Sequence, residues 1–185
     1  MTTILLVRHC EAFGNKMRVF QGHTDSEISE NGKLQLQLLA LRCRNMNIET
    51  LYSSPLKRAR LTAEAINQYH HLPLHIEPGL SEIDGGEWEG KPWADFPYLN
   101  PEQARRWNQE PWRFEAPGGE SMRCVYDRIW NTVIKIVEKE RGKTICIASH
   151  GCAIRNFLCR AQGWPIERLN DVDWCDNTAL SKITF

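Results

Sequence analysis

Two histidines and two arginines carry the chemistry that this sequence is best equipped to perform. Arg8 and His9 are adjacent, whereas Arg58 and His150 lie far along the chain. A guanidinium group is permanently charged, and its planar fork of N–H donors matches two phosphate oxygens. A neutral imidazole is a competent nucleophile near neutral pH, and nearby arginines disfavour its protonation. Brought together, these residues can bind a phosphoryl group and stabilise its transfer without a metal ion.

Each of these residues closely follows a short apolar run. The runs Ile4–Val7, Leu51–Ser53 and Thr144–Ala148 are predicted to be buried β-strands. Longer segments of helical periodicity separate them, and this alternation is typical of a mostly parallel sheet covered on both faces. Ligands of such sheets bind beyond the carboxyl ends of the strands. Three strand ends are therefore expected to bring the histidines and arginines to one edge.

Apolar residues at helical spacing predict the helices that cover the sheet. The longest is expected from about Ser121 to Glu140, with Ser121 as its N-cap. A chain of 185 residues is expected to form one domain, here residues 1–185. The predicted fold is α/β, a three-layer α/β/α sandwich with a mostly parallel central sheet. The apolar stripes are Leu34, Leu38, Leu39 and Leu41; Ala59, Ala63 and Ile66; and Val125, Ile129, Val133, Ile136 and Val137.

A segment at about residues 85–118 differs in composition from the rest of the chain. It is rich in tryptophan and proline, and we interpret it as a long excursion with one short helix near Pro101–Asn108. Its tryptophans could pack the excursion or stack on an aromatic leaving group, and packing is the favoured interpretation. They are Trp88, Trp93, Trp107 and Trp112.

The composition excludes several classes of partner. Lys plus Arg number 23 and so do Asp plus Glu, so no global field steers the protein to nucleic acid or an anionic membrane. No run approaches the roughly 20 apolar residues that span a bilayer, and Ile4–Val7 is too short for a signal peptide. The seven cysteines include no C-x-x-C pair, which favours reduced thiols. We expect a cytoplasmic monomer or homodimer that acts on a small phosphorylated substrate and holds no cofactor.

Other titratable side chains are assigned no chemistry. His70, His71 and His75 do not share a helix face and have no accompanying carboxylate or cysteine pattern, so they are predicted to mark a helix C-terminus and not a metal site. Lys57 and Arg60 flank Arg58 but should point elsewhere on a helix, so they are interpreted as surface charges.

A longer string around the first histidine resembles a known signature. Residues 5–15 read L-L-V-R-H-C-E-A-F-G-N, which resembles the L-x-V-R-H-G-E-T-x-x-N signature of the histidine phosphatase superfamily. That superfamily includes the cofactor-dependent phosphoglycerate mutases. The resemblance spans nearly the whole chain, because further blocks follow in the family's order: Gln21-Gly22, residues 25–32, residues 53–63, Leu80-Ser81-Glu82, residues 86–90, residues 117–121, residues 149–151 and Ile154-Arg155.

The resemblance implies a role for each matching residue. His9 would be the nucleophile that becomes phosphohistidine, and Glu82 would protonate the leaving alkoxide and then activate water. The transferring phosphoryl group would be clamped by Arg8, Arg58 and His150. Asn15 and Gly151 would lie close to the phosphate, with Gln21 and Gly22 at the substrate mouth.

One residue departs from the family pattern. The usual glycine after the nucleophilic histidine is Cys10 here, and Cys152 follows the second histidine by two residues. Both could be small fillers that face the core, which is the favoured interpretation. Alternatively, the positive charge of Arg8 and Arg58 would favour the thiolate form of a nearby cysteine, which would make that cysteine susceptible to oxidation.

Three functions agree with these motifs. The favoured one is a metal-independent phosphomonoesterase that acts through phosphohistidine, because mutases of the resembled family usually carry an extra segment over the site. A cofactor-dependent phosphoglycerate mutase is the alternative enzyme, and a non-catalytic module that binds a phosphorylated ligand is the third. The intact set His9, Arg8, Arg58, Glu82 and His150 argues against the last.

Overall fold

A five-stranded sheet forms the centre of the molecule. The computed structural model describes residues 1–185, and its strands lie in the order β3-β2-β4-β1-β5. Their bounds are β1 Thr3–Arg8, β2 Thr50–Ser53, β3 Leu74–Ile76, β4 Thr144–Ser149 and β5 Leu180–Thr184. All neighbouring pairs are parallel except β5, which runs antiparallel to β1 along one edge. The three strands predicted from the sequence are confirmed, and β3 and β5 are additions.

Helices cover both faces of this sheet. Their bounds are α1 Phe13–Lys16, α2 Glu30–Cys43, α3 Lys57–Asn67, α4 Phe96–Leu99, α5 Pro101–Gln109, α6 Met122–Lys139 and α7 Gly151–Ala161. Successive side chains of a strand point to opposite faces. Ile4 and Leu6 of β1 accordingly pack in the core under α6 and α7, whereas Leu5 and Val7 pack in the core under α2 and α3. The three-layer α/β/α prediction is therefore confirmed.

Helix α6 follows its sequence pattern closely. Ser121 caps it, because its hydroxyl accepts a hydrogen bond from the backbone N–H of Cys124 at 3.2 Å. All five residues of the predicted apolar stripe, from Val125 to Val137, are buried. The N-cap and the buried face of this helix were thus predicted correctly.

The stripe predicted for α2 was largely wrong. Leu34, Leu38 and Leu41 are exposed, and the residues that the helix buries against the sheet are Leu39, Ala40 and Cys43. Small side chains allow α2 to lie close to its neighbours: a Cβ atom on Gly32 would come within 2.0 Å of the carbonyl oxygen of Glu11. The helical periodicity correctly located α2, but the face that is buried is the one whose smaller side chains permit close packing.

The excursion of residues 85–118 packs against the main body. It contains α4 and the predicted short helix α5, with single 3-10 turns before α4 and after α5. Its aromatic side chains form a cluster that includes Trp88, Phe96 and Phe114, together with Val125 of α6 and Cys159 of α7. This cluster lies next to the strand ends that carry the predicted catalytic residues.

The three clustered histidines do not converge. Helix α3 ends at Asn67, and the ring of His70 bonds the carbonyl oxygen of Cys43. His75 belongs to strand β3, where its ring lies 4.9 Å from that of Tyr52. The prediction of a helix C-terminus was therefore wrong for His75. In addition, none of the helices is long and apolar enough to cross a bilayer.

Candidate active site

The register of the sheet brings the two predicted catalytic histidines together. Arg8 pairs with Ser149 across β1 and β4, so the next residues, His9 and His150, leave the sheet side by side. Their ring centroids are 5.1 Å apart. Strand β2 ends beside them, because Ser53 pairs with Ala148, and it leads into α3. The three strand ends therefore meet at one edge, as the sequence predicted.

His9 is held as a neutral imidazole with one exposed lone pair. Its Nδ1 lies 2.7 Å from the carbonyl oxygen of Cys10. A carbonyl can only accept, so Nδ1 carries the proton and Nε2 keeps its lone pair. Burial lowers the pKa of His9 well below its usual value, and the charges of Arg58 and Arg8 lower it further. His9 is thus ready to act as a nucleophile on the cavity that it lines.

Arg58 is a buried guanidinium held by a loop. It lies in the first turn of α3, where its Nη1 donates to the carbonyl oxygen of Thr24 at 3.0 Å and its Nη2 to that of Gly22 at 2.7 Å. Oδ1 of Asp25 lies 3.7 Å from Nη1 of Arg58. The Nε of Arg58 is buried and has no protein partner. One face of the guanidinium is therefore anchored, while Nε remains free to bind an anion.

Glu89 holds the loop that anchors Arg58. Its carboxylate accepts hydrogen bonds from the N–H of His23 at 2.6 Å, the hydroxyl of Thr24 at 2.6 Å and the N–H of Gly85 at 3.0 Å. Gly22 has a φ of +50°, and a Cβ atom there would lie 2.2 Å from the Glu89 carboxylate. Glycine is required at this position both for its backbone conformation and for space.

Arg8 is anchored by a segment that the sequence did not implicate. Its Nη1 donates to the carbonyl oxygen of Cys175, and its Nε is buried with no protein partner. Asn177 donates to the carbonyl oxygen of His9 at 2.8 Å. The turn before β5 therefore forms one wall of the site. Sequence reasoning missed these residues because no recognised motif marks them.

His150 completes the cluster from beneath. It is fully buried at the N-cap position of α7, and its Nε2 lies 2.7 Å from the hydroxyl oxygen of Ser54. Its Nδ1 is buried without a protein partner. Burial lowers the pKa of His150 well below its usual value, and the charge of Arg58 adds to this effect. Unlike the other eight predicted site residues, His150 is not in the lining of the cavity.

Glu82 lies against the N-terminal end of α7. One carboxylate oxygen accepts from the N–H groups of Ile83 at 3.0 Å and Ala153 at 3.2 Å, and the other accepts from Cys152 at 3.1 Å. The oxygen that accepts a single bond retains a lone pair for a further partner. Arg128 fixes the same loop through the carbonyl oxygens of Ser81 and Glu82. Glu82 is therefore positioned to exchange a proton with a bound molecule.

The remaining predicted residues surround the same cavity, which has a volume of about 400 Å³. Asn15 accepts a hydrogen bond from the N–H of Ala12 at 3.0 Å through Oδ1, which leaves its amide N–H₂ as a donor for the cavity. Gln21 accepts from the hydroxyl of Ser26 at 2.9 Å. Gly151 begins α7, whose N-terminal end favours anions. A Cβ atom on Gly151 would lie 3.3 Å from the Arg8 guanidinium, so glycine keeps this approach open.

Cys10 packs below the site and not in it. Its side chain is fully buried in a small apolar cluster with Ala12 and Ile28, and its N–H donates to the hydroxyl of Thr62 at 3.0 Å. Burial raises the pKa of Cys10, and it raises that of Cys152 well above the usual value. The interpretation of either thiol as an activated thiolate was therefore wrong, because desolvation outweighs the nearby positive charge. Cys10 has a negative φ, which explains why a glycine is not required.

The flanking cations are outside the cavity. Lys57 pairs with Glu27, and Arg60 lies 3.7 Å from Glu64 on the surface of α3. Their interpretation as surface charges is confirmed.

Comparison with known proteins identifies the class to which this fold and site belong. The family model of the histidine phosphatase superfamily (branch 1) matches residues 4–185. The chain therefore belongs to the histidine phosphatase superfamily.

Individual relatives share most of their length with this chain. Phosphoserine phosphatase 1 of Hydrogenobacter thermophilus is 34% identical over 183 residues, which are 99% of this chain and 86% of that protein. The uncharacterized phosphatase PhoE of Bacillus subtilis is 31% identical over 100% of this chain and 89% of its own. The solved structure of YhfR from Bacillus stearothermophilus has a TM-score of 0.94 at 28% identity, and the match covers 100% of this chain and 91% of that one. These similarities identify a phosphatase, a hydrolase of this superfamily.

Proposed function

We propose that this phosphatase hydrolyses a small phosphomonoester through a phosphohistidine on His9. One observation carries the proposal: His9 has a neutral ring whose Nδ1 proton is bonded to the Cys10 carbonyl oxygen, and its Nε2 shares a cavity with two guanidinium groups. A phosphoryl dianion bound by Arg8 and Arg58 would lie directly in front of that lone pair.

The first step transfers the phosphoryl group to the enzyme. Nε2 of His9 forms a bond to phosphorus while the bond from phosphorus to the ester oxygen breaks. Glu82 donates a proton to the departing oxygen, so the product leaves as a neutral alcohol. Charge on the equatorial oxygens is stabilised by Nε of Arg8, Nε of Arg58 and Nδ1 of His150, which are buried nitrogens of this histidine and arginine cluster without a protein partner.

The second step returns the enzyme to its starting state. Glu82, now a carboxylate, takes a proton from a water molecule as that water attacks phosphorus. The bond from phosphorus to Nε2 breaks, and inorganic phosphate leaves with His9 neutral again. Because two guanidinium groups neutralise the dianion, this route requires no metal ion.

Trapping the covalent intermediate tests the proposal. The enzyme is mixed with a ³²P-labelled aryl phosphate, quenched in alkali and digested, since phosphohistidine survives alkali. We expect label on the peptide that contains His9, none with His9→Ala, and unchanged labelling with His75→Ala, which alters a histidine in strand β3. Turnover by His9→Ala at the parent's rate, or label on another residue, would contradict the mechanism.

A further inference from the structure

The cavity extends beyond the groups that bind phosphate, and the extension is apolar. Its walls there are Val19, Phe20, Ile83, Trp93, Trp107 and Trp174. The formally charged residues that line the cavity are Arg8, Arg58 and Glu82, and the proposed function commits all three to the phosphoryl group and the ester oxygen. No charged side chain remains to bind a charged group on the alcohol part of a substrate.

Some tryptophans line the cavity, whereas others only pack within the fold. Trp88 is 2% exposed and stacks on Phe96 with ring centroids 3.9 Å apart, so packing accounts for it. Trp93 and Trp174, the latter outside the excursion, line the cavity and are 38% and 47% exposed. Trp107, which also lines the cavity, links them: its ring lies 5.3 Å from that of Trp93 and 6.0 Å from that of Trp174. These three rings pack on neighbouring side chains and, unlike the ring of Trp88, also present a surface to the cavity.

Trp174 borders the phosphate position directly. A Cβ atom on Gly151 would lie 3.5 Å from the Trp174 ring and 3.3 Å from the Arg8 guanidinium. The ring is held in place by Arg155, whose guanidinium carbon lies 4.7 Å from its centroid. Arg155 is itself fixed by a hydrogen bond of 2.7 Å to the carbonyl oxygen of Val172. A rigid aromatic surface therefore begins where the phosphate clamp ends.

We infer that this aromatic surface is a leaving-group subsite for an uncharged, aromatic or similarly apolar alcohol. The inference rests on the proposed function, since it takes the phosphoryl group to lie at Arg8, His9 and Arg58. An aromatic group there contacts the indole rings. Each aromatic pair contributes about 1 kcal/mol in addition to the burial of apolar surface, which corresponds to a factor of about five in kcat/KM. An amino acid or carboxylate leaving group would instead lose hydration without a partner for its charges. The substrate class thus differs from the one named for the relative from Hydrogenobacter thermophilus.

Three primary alkyl phosphates test this subsite. They are 3-phenylpropyl phosphate, propyl phosphate and O-phosphoserine, which share a primary alkoxide leaving group and so make similar demands on Glu82. We expect the parent to show a kcat/KM about tenfold higher for 3-phenylpropyl phosphate than for either of the others. In Trp93→Leu and Trp174→Leu, the ratio between the first two substrates should fall to about threefold or less. Trp130→Leu is the matched control, because Trp130 stacks on Phe157 away from the cavity, and it should keep the parent's ratio.

The ratio also separates the possible outcomes. Both substrates are measured on the same preparation, so partial misfolding of a variant cancels in the ratio. Turnover of O-phosphoserine as fast as that of 3-phenylpropyl phosphate, or a ratio that survives both substitutions, would overturn the subsite while leaving the phosphohistidine mechanism intact. Failure of the parent to release phosphate from all three esters would instead overturn the proposed function, and the subsite with it.

Discussion

The two buried histidines should make the stability of this protein fall steeply with acid. Burial and the arginine charges lower the pKa of both His9 and His150 well below 6.5 in the folded state. In the unfolded chain each imidazole titrates near 6.5. Between these values the unfolded state binds protons that the folded state does not, so lowering the pH favours unfolding. The full stability contributed by the neutral rings is present above about pH 6.5 and is lost as the pH falls below it.

The size of the effect follows from proton linkage. At about pH 5.5 an unfolded histidine is about nine-tenths protonated, which stabilises the unfolded state by about 1.4 kcal/mol relative to about pH 7.5. Two such histidines give about 2.8 kcal/mol, a large fraction of the roughly 5–15 kcal/mol that stabilises a typical domain. Substitution of either ring by a group that does not titrate should remove half of this pH dependence.

Urea denaturation measures the prediction directly. The free energy of unfolding is determined at the two pH values for the parent, His9→Gln and His150→Gln, in phosphate-free buffers so that no bound anion contributes. When the pH is lowered, the free energy of unfolding of each variant should fall by about 1.4 kcal/mol less than that of the parent. This difference should not depend on the stability of the variant at the higher pH. If His9→Gln loses as much as the parent, then His9 takes up a proton in the folded state, and the argument for a permanently neutral nucleophile is refuted.

Three further predictions concern the chemistry and the packing. Glu82→Gln should reduce turnover of alkyl phosphates far more than that of aryl phosphates, whose leaving groups need no proton, and equal losses in steady-state assays would remove Glu82 from the acid role. With 3-phosphoglycerate as substrate, phosphate release, measured by phosphate assay, should be faster than isomerisation, measured by NMR. Isomerisation that is faster than phosphate release would favour a mutase. Cys10→Gly should lower the free energy of unfolding by about 1–3 kcal/mol through loss of a buried side chain, while kcat stays within a few-fold of the parent. A collapse of kcat with unchanged stability would place the thiol in the chemistry instead.

The central strands were predictable because their sequence signal is strong. Strands β1, β2 and β4 are buried on both faces, so apolar residues fill most of β1 and β4 and the middle of β2. Strand β3 has only three residues, two of them exposed, and β5 is an edge strand whose residues are all exposed or half-buried. Neither has the continuous burial that marks a strand in a sequence. The strands that position the histidines are also the ones that local pattern reveals.

The site was predictable where one motif supplies several residues, and not where distant turns supply single ones. Arg8, His9 and Asn15 lie in one recognisable string, and the structure brings them to the same cavity as Arg58 and Glu82. Trp174 reaches that cavity from an irregular segment, through packing on Trp107 and Arg155 that no local pattern encodes. The end of the cavity that we propose binds phosphate was therefore visible in the sequence, whereas the end that we propose binds the alcohol required the fold.

The placement of β1 in the sheet has a consequence for synthesis on the ribosome. Both neighbours of this strand, β4 and β5, come from Thr144 onward, and so do the carbonyl oxygen that anchors Arg8 and the amide that bonds the backbone of His9. His9 is thus translated well before the groups that orient it. Until they emerge, β1 is an apolar strand with both edges open, which is the condition under which nascent chains associate wrongly. The orientation of His9 and the protection of this strand are therefore acquired together, once the residues from Thr144 onward have been translated.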